Sequence, residues 1–144
     1  MLKKTVTYED FDGNIRTEDL YFFISKSELT EMELSTPGGF AAKLERISNA
    51  QDAGEIMKIF KEIILKAYGE KSPDGRAFIK KRNGVSVAEE FEQTPAYDAL
   101  FTELLMNPDK ASAFINGIMP KDLMDEAKKL DSQAKTSSLP SGNN

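Results

Sequence analysis

Apolar positions near the start of the chain recur every second residue, and from Ser25 onward the spacing becomes helical. Within Leu2 to Asp10, Val6 and Tyr8 fall on one face of a strand. Asp12-Gly13-Asn14 supplies turn residues that tolerate positive φ, and Ile15 to Ile24 resumes as a second strand. A β-hairpin is predicted. On its second strand Leu20, Phe22 and Ile24 share one face, while Tyr21 and Phe23 point to the other. A second aromatic face is more than a half-exposed hairpin needs, so it is either covered by a helix or offered to a partner.

Ser25-Lys26-Ser27-Glu28 has capping-box spacing and opens a short helix carrying Leu29 and Met32, which Pro37-Gly38-Gly39 breaks. Phe40 to Ala50 is a second helical stretch with Phe40, Leu44 and Ile47 on one face. The strongest stripe follows Asp52, a plausible N-cap. Ile56, Ile59, Phe60, Ile63, Ile64 and Ala67 fit the helical period, Met57 and Leu65 widen the stripe, and Gly69 is placed to stop the helix. Lys71-Ser72-Pro73-Asp74-Gly75-Arg76 is a polar turn, after which Phe78 and Ile79 can fold back onto the core. Ser86 to Glu89 repeats the capping box ahead of Phe91. Thr94-Pro95 and Asn107-Pro108 each open a helix with proline at its first position. The first carries Tyr97, Leu100, Phe101, Leu104 and Leu105; the second carries Ala111, Phe114, Ile115 and Ile118. Met119-Pro120 closes the second and leads to a more polar helix, Lys121 to Asp131, with Leu123, Met124, Ala127 and Leu130.

The predicted class is α+β, mainly α: an N-terminal β-hairpin packed on a bundle of about six helices, with a disordered C-terminal tail. Residues 1–131 form a single domain on this reading, because an isolated hairpin is marginal and must dock on the helices. Residues 132–144, rich in Ser, Gly, Asn and Pro, form a flexible tail.

Composition narrows function chiefly by exclusion. The chain has no cysteine and no histidine. Disulfides, thiolate nucleophiles, thiolate-ligated metals and every His-dependent triad or metal site are thereby excluded within it. The net charge of −5 disfavours phosphate backbones, because the basic runs Lys3-Lys4, Lys80-Lys81-Arg82 and Lys128-Lys129 sit among acids. Nucleic acid is not an expected partner. Nor is a membrane: no apolar run approaches the ~20 residues of a span, and the N-terminus lacks signal-peptide features.

The remaining motifs fail on spacing. Asp10-Phe11-Asp12-Gly13-Asn14 resembles the start of a calcium loop, but Ile15 stands where its glycine belongs and Tyr21 where its glutamate belongs. Gly69-Glu70-Lys71-Ser72 lacks the upstream glycine of a phosphate loop and follows a helix instead of preceding one. Glu89-Glu90 and Asp122-Asp125 lie on polar helix faces, where carboxylates decorate a surface. No catalytic, cofactor or metal residue is assigned, and no cofactor is expected. Binding of other proteins is what remains.

The most distinctive string is Lys66-Ala67-Tyr68-Gly69-Glu70-Lys71-Ser72-Pro73-Asp74-Gly75-Arg76. It reads as a joint, or as a contact loop projecting Lys71 and Arg76 toward an acidic partner. The chain resembles the tail assembly chaperones of long-tailed phages and prophages of Gram-positive bacteria. The likeness rests on this string, the Thr-Tyr-Glu-Asp-Phe-Asp-Gly-Asn hairpin, Phe-Glu-Gln-Thr-Pro-Ala-Tyr and Ala-Phe-Ile-Asn-Gly-Ile-Met-Pro. It runs from about Thr5 to Pro120.

The resemblance implies a non-enzymatic morphogenetic protein of the host bacterial cytoplasm that is absent from the mature virion. Such proteins coat the tape-measure protein, keep its long helices soluble and recruit tail-tube (major tail) subunits. They commonly occur beside a frameshifted, C-terminally extended form of themselves. Homo-oligomerisation stays open, as does the alternative of a structural tail or neck component retained in the virion. Family binding residues do not transfer individually. From the residues alone, the partner-binding candidates are Tyr21 and Phe23 on the hairpin's second face, Lys71 and Arg76 in the turn, and Leu123 and Met124 on the last helix. A groove between amphipathic helices suits a helical client, and weak sites repeated along it gain by multivalency.

Overall fold

The computed structural model describes residues 1–120, and the expected helix over Lys121 to Asp131 and the tail beyond it lie outside the described residues. Strands β1 (Leu2–Glu9) and β2 (Ile15–Phe22) form the antiparallel hairpin, in unbroken register from Leu2 opposite Phe22 to Glu9 opposite Ile15. Its turn is organised by the Asp10 carboxylate. One oxygen accepts the backbone N–H of Asp12 and of Asn14 at 2.9 Å each, the other meets Arg16 at 2.6 Å, and Gly13 takes φ +84°.

Helices α1 (Lys26–Ser35), α2 (Phe40–Ala50) and α3 (Ala53–Ala67) follow in the predicted order. The Ser25–Glu28 capping box is formed at the start of α1, and the Asp52 side chain caps α3 by accepting the Glu55 N–H at 3.2 Å. Ile59, Ile63, Ile64 and Ala67 of α3 are buried, whereas Ile56 and Met57 in its first turns stay exposed.

After Ala67 the structure departs from the expected glycine-stopped helix. Tyr68 ends α3 and begins a third strand, β3 (Tyr68–Lys71), with Gly69 inside it. Tyr21 pairs with Gly69 and Phe22 with Tyr68, so β3 extends the hairpin sheet. The polar turn then carries the chain into β4 (Phe78–Ile79), which pairs with Glu70 and Lys71. The result is a four-stranded sheet in the order β1-β2-β3-β4. A small second hairpin joins β5 (Lys81–Arg82) to β6 (Val85–Ser86) through Asn83 and Gly84, both in the left-handed region. Helices α4 (Val87–Glu92), α5 (Pro95–Met106) and α6 (Pro108–Ile118) complete six helices among the described residues.

The hydrophobic core lies between the even-numbered face of the hairpin and the helices. Phe22 is fully buried at its centre, edge-on to Tyr68 (5.7 Å), Phe91 (6.1 Å) and Phe114 (5.0 Å), and so ties β2 to β3, α4 and α6. Tyr68 stacks on Phe91 at 4.0 Å, and Phe91 meets Tyr97 at 5.5 Å. Ile64, Leu100, Leu104 and Ile118 are buried with them.

Candidate partner-binding surfaces

The hairpin's outer face carries Lys3, Thr5, Thr7, Thr17, Asp19 and Tyr21, with Thr5 bonded to Asp19 (2.7 Å) and Thr7 to Thr17 (3.0 Å). Tyr21 and Phe23, expected to act together, are treated differently. Phe23 is half-buried beneath a strand segment instead of a helix: its ring meets Phe78 of β4 edge-on at 6.1 Å. Tyr21 is also half-buried, but lines an open cleft of about 420 Å³ where β3 turns away from β2 to pair with β4.

Glu18, Asp19, Tyr68, Glu70 and Lys71 share that cleft with Tyr21. Two of the sequence candidates, Tyr21 and Lys71, are therefore brought together. Burial pushes the Tyr68 phenol up to about 12, with the nearby carboxylates of Glu70 and Glu18 adding to the effect, so it is a neutral hydrogen-bonding group at neutral pH. Glu70 is paired with Arg82 at 2.6 Å, while Glu18 and Asp19 belong to no ion pair among the described residues. Arg76 stands apart from the cleft at the exposed end of the turn, where its backbone N–H donates to Asp74 at 3.1 Å. Leu123 and Met124 lie outside the described residues.

A second surface was not among the sequence candidates. Leu2 and Lys4 of β1, Leu104 of α5, and Lys110, Ala113 and Phe114 of α6 line a mainly apolar hollow of about 130 Å³. A hole of this order accepts one benzene-sized group. Lys4 and Lys110 both bond to Glu103, at 3.0 and 3.1 Å. Within two positions of the lining residues in the chain are exposed apolar side chains: Met1 at 56%, Leu105 at 44% and Met106 at 76%. The signal available in the sequence was the α5 stripe. The spacing puts Leu104 and Leu105 on one apolar face, but in the structure only Leu104 is buried and Leu105 turns to solvent.

Lys80, which the sequence shows only as one of a basic run set among acids, is a structural group. Its ammonium donates to the carbonyls of Phe23 (2.9 Å) and Lys66, pairs with Glu28 at 3.4 Å and sits 5.3 Å from the Phe78 ring centroid. Burial pushes it below the usual lysine range despite Glu28.

Among the described residues no group of three or more His, Cys, Asp or Glu side chains is arranged to hold a metal ion, and no helix is long and apolar enough to cross a membrane. A family model described as phage tail assembly chaperone matches residues 1–142, further in both directions than the residues that carried the resemblance. No curated protein and no solved structure matches the chain.

Proposed function

The chain belongs to the phage tail assembly chaperone family, and from that premise we propose that it binds the tape-measure protein and helps recruit tail-tube subunits during tail assembly, without catalysing a reaction. The observation that carries this reading is the hollow between β1, α5 and α6, with Leu105 and Met106 exposed beside its lining residues in the chain. An amphipathic client helix can seat one large apolar side chain there as a knob in a hole, while its flanking turns cover Leu105 and Met106. Each such contact is small, so holding a long client requires many copies along it, which multivalency makes tight overall. The missing histidines and cysteines support a role without chemistry.

This reading places the protein in the host cytoplasm during assembly and out of the finished particle, alongside any frameshifted longer form. Pull-down of a long helical tape-measure fragment tests it. Wild-type chain should retain the fragment at micromolar concentration, and the double variant Leu105→Glu, Met106→Glu should lose it while keeping its helical circular dichroism. Equal retention by both would remove this surface from the reading. No retention by wild type would end the client assignment, and finding the chain in purified particles would favour a permanent tail or neck component.

A further inference from the structure

We propose that the outer edge of β2, from Ile15 to Asp19, is a docking site for a basic, extended segment of another protein, which adds to the sheet as a strand.

The parity of the hairpin shows which backbone groups are free. The turn is closed by the Asp10 N–H donating to the Asn14 carbonyl at 2.8 Å, and pairing directions alternate from there along an antiparallel ladder. Even-numbered residues of β2 thus bond to β1, and odd-numbered residues point to the opposite edge. The far end agrees, because the Phe23 N–H donates across that edge to Ala67 at 2.8 Å and Tyr21 pairs there with Gly69. The N–H and C=O groups of Ile15, Thr17 and Asp19 therefore face outward. Among the described residues no strand pairs with them, because β3 leaves the ladder after Gly69 and its next residues pair with β4.

Natural edge strands are usually blunted by a bulge, a proline or a lysine. This edge has none: its register is continuous, and Ile15, Arg16, Thr17, Glu18 and Asp19 include neither Pro nor Lys. The cleft at the point where β3 diverges leaves room beside it.

Charge selects the occupant. Glu18 and Asp19 project to opposite faces of the strand, and neither is in an ion pair among the described residues, whereas Arg16 is already held by Asp10 at 2.6 Å. An incoming strand with lysine or arginine on both faces meets on each a carboxylate that has a hydroxyl partner, Tyr8 for Glu18 and Thr5 for Asp19 at 2.7 Å, but no ion pair among the described residues. Main-chain bonds supply the affinity of such strand addition, and side-chain positions supply its selectivity.

The test uses the full isotope-labelled chain with two capped hexapeptides, one alternating valine with lysine and the other valine with glutamate. Amide hydrogen exchange is read residue by residue. In the free protein Ile15, Thr17 and Asp19 should exchange fast, and Arg16, Glu18 and Leu20 slowly. The lysine peptide should slow the odd-numbered set at least about tenfold, and the glutamate peptide should not. The variant Glu18→Gln, Asp19→Asn should bind the lysine peptide about three- to tenfold more weakly. Odd-numbered amides already protected in the dilute free chain would overturn the proposal, because the edge would then be covered within the chain itself. Protection that grows with protein concentration alone would overturn it in favour of a second copy, and no peptide protection would overturn it outright.

Discussion

At Gly69 the β2–β3 ladder passes directly beneath the Phe78 ring. A Cβ there would stand 2.8 Å from Phe78 Cδ2 and 2.9 Å from the Ile79 carbonyl oxygen. Gly69→Ala should lower stability by about 1–3 kcal/mol, the usual cost of overpacking, read as a reduced urea midpoint at unchanged slope. Tyr97 presents the opposite case. Its hydroxyl is buried with no hydrogen-bond partner among the described residues, and burial raises its pKa. Tyr97→Phe keeps the stack on Phe101 at 5.6 Å and the edge contact with Phe91 while removing an unsatisfied polar atom. The melting temperature should hold or rise, since an unmade buried hydrogen bond costs about 1–3 kcal/mol. A fall would assign the hydroxyl an ordered water.

Among the elements, α3 ends on a group supplied from outside its own segment. Its last carbonyls need partners, and the Lys80 ammonium reaches Lys66 at the negative end of the helix while also holding Phe23 and the α1 capping residue Glu28. Lys80→Met should cost about 1–3 kcal/mol, measured by chemical denaturation, whereas Lys81→Met, which changes an exposed side chain, should cost little. Helix starts were legible because caps are local: Ser25, Asp52, Ser86 and Thr94 each sit where their spacing announced them. Strand β3 was not legible. Tyr68-Gly69-Glu70-Lys71 has no alternation and includes a glycine, and it is extended because Tyr21 and Phe22 are already in place to pair with it. The β5–β6 hairpin did carry a local signal in Asn83-Gly84, the dipeptide that suits a two-residue turn with positive φ at both positions.

For the whole molecule, charge sets the response to acid. Arg16 holds Asp10 below the usual carboxylate range, Lys4 does the same for Glu103, and the Arg76 backbone N–H does so for Asp74. At Glu28 burial pulls upward, but the Ser25 N–H and Lys80 outweigh it and the net shift is downward. A carboxyl with a depressed folded pKa binds fewer protons folded than unfolded. Its contribution is present above the unfolded value and is lost as pH falls through the folded one. Melting temperature should thus change little from pH 7 to about 5 and fall progressively below about 4. Glu28→Gln should make that acid-side fall shallower. Binding surfaces were only half legible at this scale. Tyr21 and Lys71 meet because two strands distant in sequence pair and then part, and the hollow by Leu104 exists because β1 crosses α5 and α6. Neither juxtaposition is written in any local period.

The pairing of Phe22 with Tyr68 also sets a timetable for the nascent chain. A hairpin closes in about 1–10 μs, but a ribosome adding about 5–20 residues per second needs seconds to travel from β2 to β3. Throughout that interval the whole outward edge of β2, including Tyr21, is bare on every growing copy. Neighbouring chains on one message then present Glu18 and Asp19 to each other, and like charges on adjoining edges discourage them from zipping together before Tyr68 and Gly69 arrive.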